Sequence, residues 1–212
     1  MIVIVDYGMG NLHSVQKGFE RAGFPAEVTH DADLILKAAG LVLPGVGAFR
    51  KAMENLQARD LKKPLLRYLE GGKPFLGICL GLQLLFSESE EFGSERGLGF
   101  FSGKVVRFPT SESGVRQDGI SLKVPHMGWN AIRICRQTPL LEGIVEGTQF
   151  YFVHSYYPVP ADPGITATTT DYGTTFVSSV SQGKLFACQF HPEKSQGAGL
   201  RMLENFGRMV YA

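Results

Sequence analysis

A cysteine flanked by glycines ends an apolar run in the first half of the chain. Residues 77–83 read Gly-Ile-Cys-Leu-Gly-Leu-Gln, with Gly77 and Gly81 each two positions from Cys79. This layout is typical of a nucleophile elbow, in which a sharp strand-to-helix turn leaves no room for bulky neighbours. The positive end of the following helix would favour the thiolate, the nucleophilic form of cysteine. A buried, inert cysteine is the competing interpretation, since free cysteines are often buried.

A histidine and a glutamate follow the last apolar run of the chain. His191 and Glu193 come directly after residues 185–190. Because strand ends on one edge of a parallel sheet meet at one crevice, we expect His191 to lie beside Cys79. The imidazole could then act as acid and base, while Glu193 holds its tautomer and stabilises its cation. Alone, His191 could equally be a surface turn residue, but the three residues together predict nucleophilic catalysis.

Two backbone segments could stabilise the oxyanion of a tetrahedral intermediate. Leu80 offers an N–H directly after the nucleophile. A second N–H could come from the loop Gly45, Val46 and Gly47, because its glycines allow the backbone to approach a ligand. An ordinary turn is an equally open interpretation of that loop.

Further polar and aromatic residues could contact a substrate or a partner. Gln83 lies one helical turn after Cys79 and could bind a polar group, or be satisfied under the sheet. His154, Ser155 and Tyr156 close a β-rich run and could add polar groups, or form an edge strand with aromatic packing. Trp129, the only tryptophan, indicates an interface anchor or a core residue.

Composition restricts the class of protein. The 212 residues carry 21 Lys and Arg against 20 Asp and Glu, so the net charge of +1 gives no reason to expect nucleic acid or an anionic membrane as partner. Three widely spaced cysteines, Cys79, Cys135 and Cys188, fit neither a disulfide framework nor a zinc site, so we expect a reducing compartment and no metal or cofactor. The start lacks the basic segment of a secretory signal, and the apolar stretch 74–86 is too short to span a bilayer. The sequence therefore predicts a soluble, cytoplasmic protein with a single domain, residues 1–212.

The elements that must position these residues alternate in the first half of the chain. Apolar runs predict buried strands at 2–5, 26–29, 41–43 and 74–78. Helical patterns lie at 12–22, from Asp31, from the 45–47 loop to about residue 70, and at 80–87, with Asn11 capping the first. This alternation predicts an α/β fold, with a central, mostly parallel sheet and helices on both faces.

The second half of the chain is rich in strand patterns. They lie at 105–108, 131–135, 149–157, 165–171 and 175–180, and they indicate antiparallel additions to the sheet. A last strand is predicted at 185–190 and a closing helix at 197–209, with a polar surface loop at 111–119.

The motifs around Cys79 and His191 resemble those of the class I (triad) glutamine amidotransferases, over essentially the whole chain. Segments 6–12, 43–49, 125–130 and 151–156 narrow the resemblance to the glutaminase subunits of imidazole glycerol phosphate synthases, enzymes of histidine biosynthesis. The family fold is flavodoxin-like. No catalytic position departs from the family pattern, and Leu82, where relatives often carry Met, keeps its apolar character.

The resemblance implies a role for each candidate residue. Cys79 would attack the side-chain amide of glutamine, and His191, oriented by Glu193, would protonate the leaving ammonia and then activate water. The N–H groups of Val46 and Leu80 would stabilise the oxyanion. The glutamine would be held by Gly47, Gln83 and the segment 154–156.

The resemblance also implies a partner. The family's cyclase is a (β/α)₈ barrel of typically ~250 residues, and nothing in this chain resembles one, so a separate cyclase subunit in a heterodimer is expected. Ammonia would cross the interface into that barrel, where imidazole glycerol phosphate and aminoimidazole carboxamide ribotide would form. Asn11, Trp129 and Lys194 are the candidate interface residues. The 45–47 loop is expected to keep the oxyanion hole incompetent until the cyclase binds its ligand.

Three other interpretations stay open. The chain could be a glutaminase that feeds another synthase, such as those of anthranilate or pyridoxal phosphate synthesis. It could be a catalytically silent regulatory subunit, although that requires a missing triad member and Cys79, His191 and Glu193 are all present. A Cys-His peptidase has no support beyond the nucleophile elbow.

Overall fold

The computed structural model describes residues 1–109, 115–117 and 120–212. The strands are β1 (Ile2–Val5), β2 (Ala26–Thr29), β3 (Gly40–Gly45), β4 (Phe75–Cys79), β5 (Phe86–Ser89), β6 (Glu95–Arg96), β7 (Phe101–Arg107), β8 (Val115–Gln117), β9 (Ile120–Leu122), β10 (His126–Ala131), β11 (Arg133–Ile134), β12 (Gln149–His154), β13 (Tyr156–Pro160), β14 (Thr166–Asp171), β15 (Thr175–Gln182) and β16 (Leu185–Cys188). The helices are α1 (Leu12–Arg21), α2 (Ala32–Lys37), α3 (Phe49–Ala58), α4 (Lys62–Glu70), α5 (Leu80–Gln83) and α6 (Gln196–Tyr211).

The central sheet has eight strands in the order β11-β14-β15-β16-β4-β3-β1-β2. The strands from β16 to β2 pair in parallel, whereas β15, β14 and β11 add antiparallel strands at one edge. A second sheet has the order β13-β7-β5-β6, and β10 pairs with β12. The predicted mixed fold, with a parallel centre and antiparallel additions, is confirmed.

Helices cover both faces of the central sheet, as predicted. Val3 and Leu41 point to a core shared with α2, α3 and α4, whereas Ile2 and Val42 point to a second core shared with α1 and α6. Successive residues of a strand face opposite sides, so strands buried on both faces read as continuous apolar runs. That burial explains why the central strands were visible in the sequence.

Helix α1 begins at Leu12 as predicted and ends at Arg21, one residue before the predicted end. The Asn11 side chain accepts a hydrogen bond from the backbone N–H of Ser14 at 3.4 Å, as a helix cap does. Gly23 follows the last turn with φ of 86°, a conformation that favours glycine.

The helix predicted at 80–87 is wrong beyond Gln83. The carbonyls of Leu84 and Leu85 accept hydrogen bonds from the backbone N–H groups of Leu98 and Phe101, at 2.8 and 2.9 Å. The chain then continues as β5, which pairs with β6 and β7. Pairing with a distant segment therefore replaces the hydrogen bonds that a longer helix would need.

Two other predicted elements divide where the chain bends. The helix expected to reach residue 70 is two helices, α3 and α4, separated by Asp60, whose φ is 54°. The strand expected at 149–157 divides at Ser155, because β12 pairs with β10 while β13 pairs with β7.

The loop predicted at 111–119 lies largely outside the described residues. Of that segment only Val115–Gln117 is described, and it forms β8, paired with β9. Across the described ranges, none of the helices combines the length and the apolar character that crossing a membrane requires.

Candidate active site

Cys79 ends β4 in a strained turn. Its φ of 55° and ψ of −109° form a positive-φ conformation that residues other than glycine rarely adopt, as expected at a strained nucleophile elbow. A Cβ atom on Gly81 would overlap the carbonyl oxygen of Leu43, and one on Gly77 would lie 2.9 Å from the Cβ of Ala187. Both flanking glycines are therefore required by close packing of the turn against the neighbouring strands.

The registers of the parallel strands bring three distant segments to Cys79. Gly45, at the end of β3, lies directly opposite Cys79. On the other side, Cys188 of β16 lies opposite Ile78, so Gln189 follows at the level of Cys79. The chain end predicted to approach the nucleophile thus does so, at the carboxyl edge of the sheet.

His191 and Glu193 form a buried pair. The ring Nδ1–H of His191 donates to Glu193 Oε1 at 2.7 Å, and the two side chains are 2% and 1% exposed. Burial alone would lower the pKa of His191, but the charges of Cys79 and Glu193 and the hydrogen bond to Glu193 outweigh burial and raise the pKa to about 10. The imidazole is therefore poised as a cation beside the cysteine.

The second ring nitrogen of His191 is the one left for contact with the proposed nucleophile, Cys79. His191 and Cys79 line the same cavity. Because Nδ1 is committed to Glu193, Nε2 is the atom available for proton transfer. It is buried and has no hydrogen-bond partner among the described residues.

Ser195 holds the turn that carries His191, a contribution that the sequence reasoning missed. Its hydroxyl donates to the carbonyl of His191 at 2.6 Å and accepts from the N–H of Tyr151 at 3.0 Å. The N–H of His191 in turn donates to the carbonyl of Tyr151 at 2.9 Å. These bonds join the histidine backbone to β12.

A cavity of about 260 Å³ opens onto Cys79. This volume lies just below the usual range for drug-sized ligands, so it suits a molecule the size of an amino acid. Its lining includes most of the predicted binding residues, together with Glu91, Pro125 and Val153, which were not predicted: Val46, Gly47, Cys79, Leu80, Gln83, Glu91, Pro125, Val153, His154, Ser155, Tyr156 and His191.

The two predicted oxyanion segments lie on either side of the nucleophile. Leu80 begins the short helix α5, and Val46 lines the cavity while remaining 38% exposed. Gly47 has φ of 91°, which favours glycine. Glu91 anchors the segment after this loop, because its Oε2 accepts from the N–H of Phe49, the first residue of α3, at 2.6 Å.

Gln83 is tied to the cavity wall. Its Nε2 donates to the carbonyl of Tyr156 at 2.9 Å and to Oε1 of Gln189 at 3.0 Å. Gln189 Nε2 lies 3.6 Å from the sulfur of Cys79, and the Cys79 sulfur also lies 3.9 Å from the carbonyl of Val153. Gln189 was not among the residues predicted from the sequence, although it is the one polar residue in the otherwise apolar run 185–190.

His154 belongs to a directed hydrogen-bond chain. Its Nδ1 lies 2.9 Å from the carbonyl of Tyr156, which can only accept, so Nδ1 carries the proton. Its Nε2 therefore accepts from Nδ1 of His126 at 3.0 Å, and Nε2 of His126 accepts from the amide of Asn130 at 3.2 Å. Burial lowers the pKa of His154 to about 3 and that of His126 to about 4, so both rings are neutral in this chain.

The candidate interface residues are all exposed. Trp129 is 45% exposed and its ring lies edge-on to Tyr151, with centroids 6.2 Å apart. The ammonium of Lys194 lies 5.8 Å from the centroid of the same Tyr151 ring. Asn11, the cap of α1, is also exposed. A core position for Trp129 is thereby excluded.

The other two cysteines differ from Cys79. Cys188 is fully buried, and burial raises the pKa of its thiol well above its usual value. Cys135 is exposed and lies outside the cavity lining. Among the described residues, no three His, Cys, Asp or Glu side chains converge as a metal site would require.

The chain is similar to known proteins in sequence and in structure. The family model "Glutamine amidotransferase class-I" matches residues 3–210. The chain is 57% identical over 209 residues to the imidazole glycerol phosphate synthase subunit HisH of Syntrophotalea carbinolica, covering 99% of this chain and 100% of that one. It is 51% identical to the HisH subunit of Geobacter sulfurreducens, covering 98% of each. A crystal structure of a glutamine amidotransferase superposes with a TM-score of 0.71 at 18% identity over 100% of both chains, which supports the fold.

Proposed function

Because this chain belongs to the class I glutamine amidotransferase family, we propose that it is the glutaminase subunit of an imidazole glycerol phosphate synthase. The observation that carries the proposal is the 57% identity to a HisH subunit over nearly the full length of both chains. The cavity at Cys79 supports it, because it holds a nucleophile, a buried imidazole–carboxylate pair and amide side chains.

In the first half of the reaction, the Cys79 thiolate attacks the side-chain amide carbon of glutamine. The oxyanion that forms is stabilised by the N–H groups of Val46 and Leu80. The imidazolium of His191 gives its Nε2 proton to the amide nitrogen, the carbon–nitrogen bond breaks and ammonia leaves. A γ-glutamyl thioester remains on Cys79.

In the second half, the neutral imidazole of His191 takes a proton from water. The resulting hydroxide attacks the thioester carbon, the carbon–sulfur bond breaks, and glutamate leaves with Cys79 as thiolate and His191 as imidazolium. Glu193 stays bound to Nδ1 throughout, which keeps Nε2 directed at the reacting atoms and stabilises the cation.

The synthase reaction requires a second subunit. We infer that this subunit is a (β/α)₈ cyclase that forms a heterodimer with this chain and receives its ammonia. The exposed residues Trp129, Lys194 and Asn11 support an interface at the carboxyl edge of the sheet. The cyclase would then make imidazole glycerol phosphate and aminoimidazole carboxamide ribotide.

The test reconstitutes this chain with a cyclase subunit and measures imidazole glycerol phosphate made from glutamine or from ammonia. Cys79→Ala should abolish the glutamine-driven reaction and leave the ammonia-driven reaction intact, because only the first needs the thioester. Cys135→Ala, at an exposed thiol outside the cavity, is the matched control and should retain both activities.

Three outcomes would contradict the proposal. Loss of both activities in Cys79→Ala would refute the division of labour between the subunits. Failure of the native pair to make product from glutamine would refute the assignment to this synthase. Loss of one N–H from an oxyanion hole raises the activation free energy by ~2.7–4 kcal/mol, so a 45–47 loop that is misdirected without the partner would slow hydrolysis. If the isolated chain hydrolyses glutamine as fast as the liganded complex does, this dependence on the partner is refuted.

A further inference from the structure

Gln189 is a buried polar residue beside the nucleophile that the mechanism above does not use. It is fully buried and follows the last residue of β16. Its backbone N–H donates to the carbonyl of Ser178 at 2.8 Å, so the main chain is held on the side away from β4. The strand register then directs its side chain to the level of Cys79.

The orientation of the Gln189 amide follows from its neighbours. The carbonyl of Tyr156 can only accept a hydrogen bond, so the Gln83 atom that contacts it is Nε2. The second hydrogen of Gln83 Nε2 reaches Gln189 at 3.0 Å and must meet an acceptor, which is Oε1. The remaining atom of the Gln189 amide, Nε2, therefore faces the Cys79 sulfur at 3.6 Å as a donor.

The contacts of Tyr156 make this orientation unambiguous. His154 Nδ1–H donates to the same carbonyl at 2.9 Å, so that oxygen is fixed from two sides. One series of donors passes from Asn130 through His126 to His154 and stops at this oxygen. A second series starts at Gln83, which donates to the same oxygen and to Gln189, and it ends with Gln189 Nε2 at the sulfur. A donor at this end favours the charged thiolate over the neutral thiol.

The same contacts determine what Gln83 can offer a ligand. Both hydrogens of its Nε2 are used, by Tyr156 and by Gln189. The amide oxygen is then the polar atom of Gln83 that remains for a bound molecule. An oxygen acceptor in the cavity suits a donor group such as the ammonium of an amino acid.

We propose that Gln189 acts on both the nucleophile and the substrate-binding side chain. Its amide N–H stabilises the Cys79 thiolate, and its amide oxygen holds Gln83 with the acceptor toward the cavity. The effect on glutamine use rests on the proposed function, whereas the effect on the thiolate does not.

Two variants separate the two contacts. Gln189→Glu keeps an oxygen for Gln83 but removes the donor to sulfur and adds a negative charge, so kcat should fall while the KM for glutamine stays near that of the parent. Gln189→Met has a similar shape without polar atoms, so kcat should fall and KM should rise. A lost hydrogen bond to a charged group is expected to lower kcat/KM by about 10- to 100-fold.

The experiment uses the full chain, alone and with the cyclase subunit, in a Cys135→Ser background that removes the exposed thiol. In the chain alone, the rate of Cys79 alkylation by iodoacetamide is followed against pH. Its midpoint should move to higher pH in both variants. In the complex, glutamine hydrolysis gives kcat and KM, and ammonia-driven synthesis should be unchanged.

Thr168→Val is the matched control for a general loss of stability. Thr168 is fully buried, and its hydroxyl bonds to Ser178 and Ser179 at 2.8 and 2.7 Å, on the antiparallel side of the sheet. It should lower the unfolding temperature without moving the alkylation midpoint. An unmoved midpoint in both Gln189 variants, or an equal shift in Thr168→Val, would overturn the inference. A complex that does not use glutamine would overturn the proposed function while leaving the alkylation result interpretable.

Discussion

His191 and Glu193 form a buried charge pair in the proposed site. Both side chains are almost fully buried, and removing water from charges is expensive unless they are paired. The 2.7 Å bond between them and the nearby Cys79 offset that cost for the imidazolium, which explains the raised pKa of His191. The same contacts fix which ring nitrogen faces the cysteine.

Glu193→Gln tests this balance at the residue scale. The variant can still hydrogen-bond to the ring but removes the charge that supports the imidazolium, so burial should lower the pKa of His191. We expect kcat for glutamine to fall by about 100-fold or more, by analogy with the loss of the orienting carboxylate in other triads. Steady-state hydrolysis by the complex measures it, with ammonia-driven synthesis as the internal control. A kcat equal to that of the parent would show that the carboxylate charge is dispensable.

At the scale of elements, β10 presents two different faces. Met127 and Trp129 are 62% and 45% exposed, whereas His126 is 2% exposed and bonds to His154 of β12. Because side chains alternate along a strand, one short element meets solvent on one face and supports the wall of the cavity on the other. A partner that moved β10 would therefore also move the carbonyl of Tyr156, because hydrogen bonds link His126 to His154 and His154 to that carbonyl.

The two neutral histidines of this arrangement predict acid sensitivity. In the folded chain the pKa values of His126 and His154 lie at about 4 and about 3, while in the unfolded chain they approach ~6.5. As pH falls from about 6.5 toward about 4, the unfolded state takes up protons that the folded state does not, so these groups make the chain less stable. Above about pH 6.5 both histidines are neutral in the folded and in the unfolded chain, so they no longer lower the free energy of unfolding.

His126→Asn should weaken that pH dependence. Asparagine retains a donor for His154 but cannot titrate, so the slope of unfolding free energy against pH should fall by up to ~1.4 kcal/mol per pH unit, the value for one proton. Urea unfolding across the window measures it. Thr168→Val should lower stability equally at each pH, and identical slopes for His126→Asn and the parent would contradict the prediction.

At the scale of the whole molecule, the site and the candidate interface lie at the same edge of the sheet. Gly45 and Cys79 end β3 and β4, and Trp129 packs against Tyr151, whose carbonyl binds the N–H of His191. Val210 of α6 instead contacts Gly40, at the beginning of β3. A partner at the carboxyl edge could therefore receive a product from the cavity over a short path.

Trp129→Ala should weaken partner binding more than folding. The side chain is 45% exposed, so its removal should change the unfolding temperature of the free chain little. At the centre of an interface, loss of a tryptophan typically costs about 2 kcal/mol or more of binding free energy. Titration with the cyclase subunit measures the affinity. Tyr211→Ala, an aromatic residue 50% exposed on α6, is the control and should bind normally. A large loss of unfolding temperature in Trp129→Ala would contradict this assignment.

The sequence by itself determined the features that depend on local patterns. Continuous apolar runs identified the central strands, since burial on both faces leaves no other residue type acceptable. The glycines around Cys79 predicted the elbow because the turn leaves no space for side chains at those two positions. His191 and Glu193 were readable because the ends of parallel strands converge whatever their separation in the chain.

Only the tertiary structure decided the features that depend on which segments pair. Helix α5 ends at Gln83 because the carbonyls of Leu84 and Leu85 bind the N–H groups of Leu98 and Phe101. No local sequence pattern predicts these contacts. The roles of Gln189 and His126 depend on strand register, since a shift of one residue would turn each side chain to the other face. The residue types of the proposed catalytic site could thus be identified in the sequence, whereas the polar contacts that orient them arise from packing between distant segments.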